Sequence, residues 1–174
     1  MRIQLILTAL GTALVSASAS AQKTTYDYDK GADFSRLKTY AWTTGHTLQD
    51  ELNHKRVVGA IDEQLAAKGL TRVEVSANPD ALVAYHANFD RNLQINAMST
   101  EPLGLRVGGT RNGSARVSEI VLGTLVVDMV DANTGSMLWR GIATREIDAT
   151  AKPEQRDKNA GKAAKKLFEH YPPR

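Results

Sequence analysis

No cysteine occurs among the 174 residues. That absence excludes disulfides, thiolate metal sites, a cysteine nucleophile and a lipid carried on a leader cysteine. A run of the ~20 apolar residues needed to cross a bilayer is also missing: the amino-terminal candidate, residues 3–15 (IQLILTALGTALV), falls short, so no permanent membrane anchor is expected. Charge of one sign is scarcely in excess, with 22 Lys+Arg against 19 Asp+Glu and a net +3. Such a balance without a basic tract speaks for solubility or weak attraction to anionic envelope surfaces, not for a nucleic-acid partner. The four histidines, His46, His54, His86 and His170, show no H-x-x-x-H or H-E-x-x-H spacing, so a zinc site would need assembly from distant segments. Gly108-Gly109 and Asn112-Gly113 do not stand between a strand and a helix, as a phosphate-binding loop requires. No catalytic, cofactor-binding or metal-ligating set is expected from these patterns.

What is present begins with an export signal. Met1-Arg2 is a short positive segment, residues 3–15 are apolar, and Ser16 to Ala21 supplies small residues ending in Ala19-Ser20-Ala21. This predicts a signal peptide over 1–21, cleaved before Gln22, with a frame ending at Ala19 as the alternative and a retained anchor as the competing reading. Residues 22–174, in a chain that is 42% hydrophobic and 24% charged, suit one domain with one core, periplasmic or secreted.

Within that domain, Lys23 to Asp29 alternates as a strand does, and Leu37 to Trp42 reads as a second extended piece. Thr47-Leu48-Gln49-Asp50 has the form of a capping box. Val58, Ile61 and Leu65 make the stripe of the helix it opens, Gly69 suits a left-handed C′ position, and Leu70 suits the apolar contact after it. Ala81 to Phe89 reads as a strand and 91–118 as a long loop. Glu119 to Asp131 and Ser136 to Asp148 form a hairpin about a three-residue loop, Asn133-Thr134-Gly135, with Gly135 left-handed. That register sets Asp128 opposite Arg140, Met129 opposite Trp139, Val127 opposite Gly141 and Leu125 opposite Ala143, with the Trp139 face toward the core. A final helix from Pro153 to His170 carries Ala160, Ala163, Ala164, Leu167 and Phe168 on its apolar side. The expected fold is α+β: an antiparallel sheet with both helices packed on one face.

The segments Asp29 to Trp42 (DKGADFSRLKTYAW), Gly123 to Asp128 (GTLVVD), Asp131 to Gly135, Leu138 to Gly141 (LWRG) and the ending Leu167-Phe168 to Pro172-Pro173 together resemble the bacterial domain-of-unknown-function family 4136. The resemblance spans essentially the mature chain. It implies an exported, often lipid-anchored envelope protein and no particular reaction; the missing leader cysteine departs from the lipid-anchored pattern.

Several residues invite a functional reading. Asp27-x-Asp29-x-Gly31-x-Asp33 places oxygen ligands at alternate positions, as calcium loops do, but Lys38 stands where a bidentate glutamate belongs; turn-forming and helix-capping aspartates are the plainer reading. His86, with Asp80 and Asp90 near the ends of its strand, is the candidate base of a periplasmic hydrolase, the alternative function. Asp128 and Arg140 read first as a cross-strand ion pair. Ile120, Leu122, Val126, Val130, Leu138 and Ile142 crowd the hairpin's outer face, where one-sided helices predict polar residues. Either the amino-terminal strand or the 91–118 loop covers that face, or it meets a partner or a second copy of the chain. The leading expectation is a non-enzymatic envelope domain that binds or scaffolds, needing no cofactor. A small-ligand binder under the glycine-rich loop is a third class, and it requires an apolar cavity there.

Overall fold

The structure, a computed structural model, describes residues 22–45, 48, 50–97 and 115–173. The predicted signal peptide, His46, Thr47 of the capping box, Gly108-Gly109 and Asn112-Gly113 lie outside the described residues.

Strands β1 (Lys23–Tyr28), β2 (Thr39–Trp42), β3 (Thr71–Arg72), β4 (Ala81–Ala97), β5 (Ala115–Asp131) and β6 (Met137–Ile147) join helices α1 (Glu51–Ala67) and α2 (Pro153–Leu167). The strands make one sheet in the order β1-β6-β5-β4-β2-β3. Its β1/β6, β6/β5 and β5/β4 pairs are antiparallel, but β2 runs parallel to both β4 and β3. The sheet is therefore mixed, which corrects the expectation of a purely antiparallel one. Between β2 and β4 the chain traverses α1, and a connection that crosses a face through a helix returns the next strand in the same direction.

Local chemistry accounts for the element ends. Asp50 caps α1, its carboxylate accepting from the N–H groups of Leu52 (3.0 Å) and Asn53 (3.2 Å), so the helix begins after Asp50 rather than within the Thr47 box. At the other end the Leu70 N–H donates to the Leu65 carbonyl (3.0 Å) and the Gly69 N–H to Ala66 (2.9 Å), with Gly69 at φ +88°. This is the predicted Gly69 stop, closed by contact between buried Leu65 and Leu70. Pro153 opens α2 at a position where its missing N–H costs nothing. The helix ends at Leu167, three residues before the expected His170.

The hairpin register is as predicted from Thr124↔Thr144 to Met129↔Trp139. Beyond it a β-bulge puts Val130 opposite Met137, and the Asp131 N–H donates to the Ser136 carbonyl (2.9 Å). The bulge re-aims one residue: Leu138, expected on the outer face, is buried in the core. Gly135 is left-handed at φ +71°. Residues 91–97 and 115–118, expected in a long loop, belong instead to β4 and β5, which pair as far as Ala97↔Ala115.

Both helices lie over one face. Ile61 and Leu65 from α1 and Leu167 with the cap residue Phe168 from α2 share a buried cluster with Val83, Tyr85, Val127, Met129 and Trp139 of the sheet. Each such side chain contributes about 1.5–3 kcal/mol on burial. Trp139 is the hub, stacked on Phe168 at 5.0 Å and edge-on to Tyr171 at 5.5 Å, while Tyr171 meets Phe34 at 5.8 Å. Its ring lies over Gly141, where a methyl would stand 2.8 Å from Trp139 Cζ2 and 2.9 Å from Leu167 Cγ. The Trp-Arg-Gly order is thus a packing requirement. Burial pushes the Tyr171 hydroxyl up to about 12.

Candidate functional site

The large residues of this core sit at one end of the helix layer. Toward the other end the facing positions are small: Ala87, Gly123 and Ala143 on the sheet, Ala160 and Ala163 on α2. The helices are held off the sheet by Trp139, Phe168 and Leu65, and alanine and glycine cannot fill the space that remains. The result is a half-open cleft of about 410 Å³ between the first half of α1, α2 and the inner face of β4–β5–β6. It extends to where the β4–β5 ribbon leaves the sheet, at Phe89, Arg91 and Val121.

The walls are mainly apolar, and the charge lies on the residues around them. Among the described residues Arg56, Arg91, Arg145 and Arg156 border the cleft, against one bordering carboxylate, Asp148. The Arg56 guanidinium donates to Asp157 (2.5 Å) and Asn53 (3.0 Å), which also ties α1 to α2. Arg156 donates to the carbonyls of Ala151 (2.9 Å) and Ala149 (3.0 Å), and Arg145 to that of Glu146 (3.2 Å). These carbonyls hold the guanidinium groups without neutralising them. The Thr150 hydroxyl and N–H donate to Asp148 and hold its carboxyl below the usual range, so it stays charged.

The residues singled out from sequence lie elsewhere. His86 is on the outer face opposite Val126, its Nε2 3.5 Å from Asp128. Asp90 is four residues along the same strand face, roughly 13 Å away at strand rise, where its carboxylate accepts from Asn88 (3.2 Å). Asp80 is engaged at the far end of β4, accepting from the N–H groups of Lys38 (2.9 Å) and Thr39 (2.8 Å) and from the Thr39 hydroxyl (2.9 Å). Those bonds, the Lys38 N–H first, hold the Asp80 carboxyl down. The three do not converge on a concave surface. Of the calcium-like aspartates, Asp27 accepts from the Tyr28 N–H, Asp29 from Gly31, and Asp33 caps the turn Phe34–Arg36 through Ser35. Among the described residues no three acidic or histidine side chains are grouped to hold a metal ion. His54 meets the Tyr85 hydroxyl at 2.6 Å, and His170 packs on Tyr26.

Asp128 and Arg140 form the expected pair, a two-pronged contact at 2.5 and 2.8 Å with Asp128 buried. The hydrogen bond to Asp128 raises the Arg140 guanidinium further above its already high range. Around this pair the outer face carries Val126, Val130, Ile142 and Leu82, all partly exposed. The amino-terminal strand does not cover it, because β1 lies in the sheet beside β6. Other motif residues act as joints. Arg36 pairs with Asp131, whose carboxyl also accepts from the N–H groups of Thr134 and Asn133 (both 2.9 Å). The Thr134 bond first, then Arg36, brings the Asp131 carboxyl down to about 2. Asp62 of α1 accepts from Tyr40 (2.6 Å), Trp42 (2.8 Å) and Arg72 (2.9 Å), pinning the helix to the β2–β3 edge.

The cleft was not singled out from sequence, because its lining comes from separated segments. The available signal was a run of small residues at core-facing positions (Ala87, Gly123, Ala143, Ala160) where a filled core would carry large ones.

A family model described as domain of unknown function (DUF4136) matches residues 24–173. No curated protein matches the chain. Among solved structures, a PDZ domain protein from Parabacteroides distasonis is 21% identical, with a TM-score of 0.55 over 89% of this chain and 36% of its own. The chain therefore spans about a third of that protein's length. A DUF4136 family protein from Bacteroides thetaiotaomicron is 15% identical, with a TM-score of 0.51 over 87% and 96% of the two chains. The PelC dodecamer from Paraburkholderia phytofirmans is 11% identical, with a TM-score of 0.51 over 85% and 95%. These likenesses concern the fold.

Proposed function

The chain belongs to the DUF4136 family, and from that premise we propose that it is an exported envelope protein, periplasmic or secreted, acting as a non-enzymatic binding module. The observation that carries the binding part is the cleft: about 410 Å³, apolar-walled and bordered by four arginines. Ligand pockets of roughly 300–1,000 Å³ with apolar walls and a few placed polar groups are the usual seats of small molecules. The separation of His86 from Asp80 and Asp90 weighs against the hydrolase alternative. Export rests on the sequence pattern of residues 1–21; no helix among the described residues is long and apolar enough to cross a membrane.

The test uses protein recovered after expression of the full chain. Nile red, a neutral dye, should brighten on the native protein, and Ala163→Leu, which narrows the cleft, should weaken the signal without lowering Tm. Failure of the dye to bind, or equal binding by the variant, refutes the reading. Amino-terminal sequencing of the same material should begin at Gln22; an intact Met1 refutes export with cleavage.

A second reading concerns the outer face. Its partly exposed Val126, Val130, Ile142 and Leu82 support self-association or a protein partner there, and PelC, of like fold, is a dodecamer. Light scattering should give an oligomer that Val126→Lys reduces to a monomer; a wild-type monomer counts against self-association.

A further inference from the structure

We propose that the cleft seats the single acyl chain of an anionic lysophospholipid, tail against the alanine floor and phosphate among the bordering arginines. This rests on the binding reading above and names its ligand class. The inner walls at Val57, Ala87, Leu125, Ala143, Ala160 and Ala163 are aliphatic. Around them Phe89 is the one aromatic side chain and Asn53, Thr124 and Asn159 the few uncharged hydrogen-bonding ones among the described lining residues, a sparse set for holding rings or selecting sugars. A polymethylene chain needs only the area of the walls. At the border, Arg145 and Arg156 are held by backbone carbonyls, and Asp148 is the one carboxylate among the described lining residues. Charge complementarity therefore selects an anionic head. Arg56 is already paired with Asp157 (2.5 Å), so the head is met chiefly by Arg145 of β6 and Arg156 of α2, which reach the cleft from two separate elements. A phosphodiester, with ester and glycerol oxygens beside its two charged ones, offers two separate guanidinium groups more acceptors than a carboxylate does, although the guanidinium fork suits both.

The test is competition against Nile red on the protein from the full chain, with lysophosphatidylglycerols kept below their micelle thresholds. A 16-carbon lysophosphatidylglycerol should displace the dye, and affinity should fall about fourfold for each methylene removed. Lysophosphatidylcholine of the same length, whose choline cancels the charge, should compete at least about tenfold more weakly, and so should palmitate. Arg145→Gln should weaken lysophosphatidylglycerol about tenfold and the neutral Nile red far less. Raising salt to about 1 M should act the same way. Equal competition by the choline lipid or by hexadecanol overturns the anionic head, and tighter binding of palmitate overturns the phosphate. Dye binding without displacement by any lysophospholipid overturns this inference while leaving the binding module intact; no dye binding overturns both.

Discussion

Replacing Gly141 by alanine isolates the packing of the Trp-Arg-Gly segment. Gly141 lies in a strand, outside the left-handed region, so the backbone alone would favour alanine by about 0.4–1 kcal/mol through the unfolded chain. Against this, the new methyl would press on the Trp139 ring and stand 2.9 Å from Leu167 Cγ. Neither neighbour can retreat: Trp139 is fully buried between Phe168 and Tyr171, and Leu167 is 3% exposed. Overpacking of this kind costs about 1–3 kcal/mol, and the locked rings place it at the upper end. The expected net loss is about 2 kcal/mol, or about 4–8 °C in Tm for a domain of this size. Urea unfolding followed by far-ultraviolet circular dichroism measures it, repeated in a Trp139→Phe background that removes the ring atoms the methyl would strike. There the cost should fall below about 1 kcal/mol, because the two substitutions touch the same contact. An equal cost in both backgrounds, or a stabilised single variant, refutes the packing argument.

Three further outcomes follow from the electrostatics. Asp131 titrates near 2 in the folded chain against an ordinary 3.8, and Asp33, Asp80 and Asp148 are lowered too, so their contribution is complete above about pH 4 and is lost as pH falls toward 2. Asp131→Asn should flatten that limb of a stability-against-pH curve, and an unchanged limb contradicts the assignment. At the alkaline end the raised Tyr171 works in the opposite sense: its contribution is present below about 10 and lost as pH rises to about 12. Arg140→Leu leaves the buried Asp128 carboxylate without its two-pronged partner, and about 1–2 kcal/mol should be lost, less at high salt because Arg140 is half exposed. A neutral substitution shows the pair to be ornamental.

The elements legible in the sequence were those decided by neighbours along the chain. The Gly69 stop, Pro153 at the helix start and the hairpin register about Asp128 and Arg140 each depend on residues a few positions apart or on one repeating alternation. The start of the β4–β5 ribbon carries a strand's alternation, Leu93, Ile95 and Ala97 against Asn92, Gln94 and Asn96, but Pro102, Gly104, Gly108-Gly109 and Asn112-Gly113 make the whole stretch read as a loop. The parallel pairing of β2 with β4 was not readable locally, since the direction of a returning strand depends on what lies between. Leu138 was misplaced by one bulge, because a single inserted residue reverses which face the following side chains address. The cleft escaped for a different reason: an absence of bulk becomes a cavity only once α2 is set over the sheet.

The sheet order carries a kinetic consequence. Strand β1 is made before every other described strand, but its partner β6 comes near the end, and Gln22 reaches Ala163, 141 residues away. Until those later segments exist, the first strand has no ladder to complete and waits as an unclaimed edge. Long-range closure of this kind slows assembly. A chain built this way finishes at its beginning.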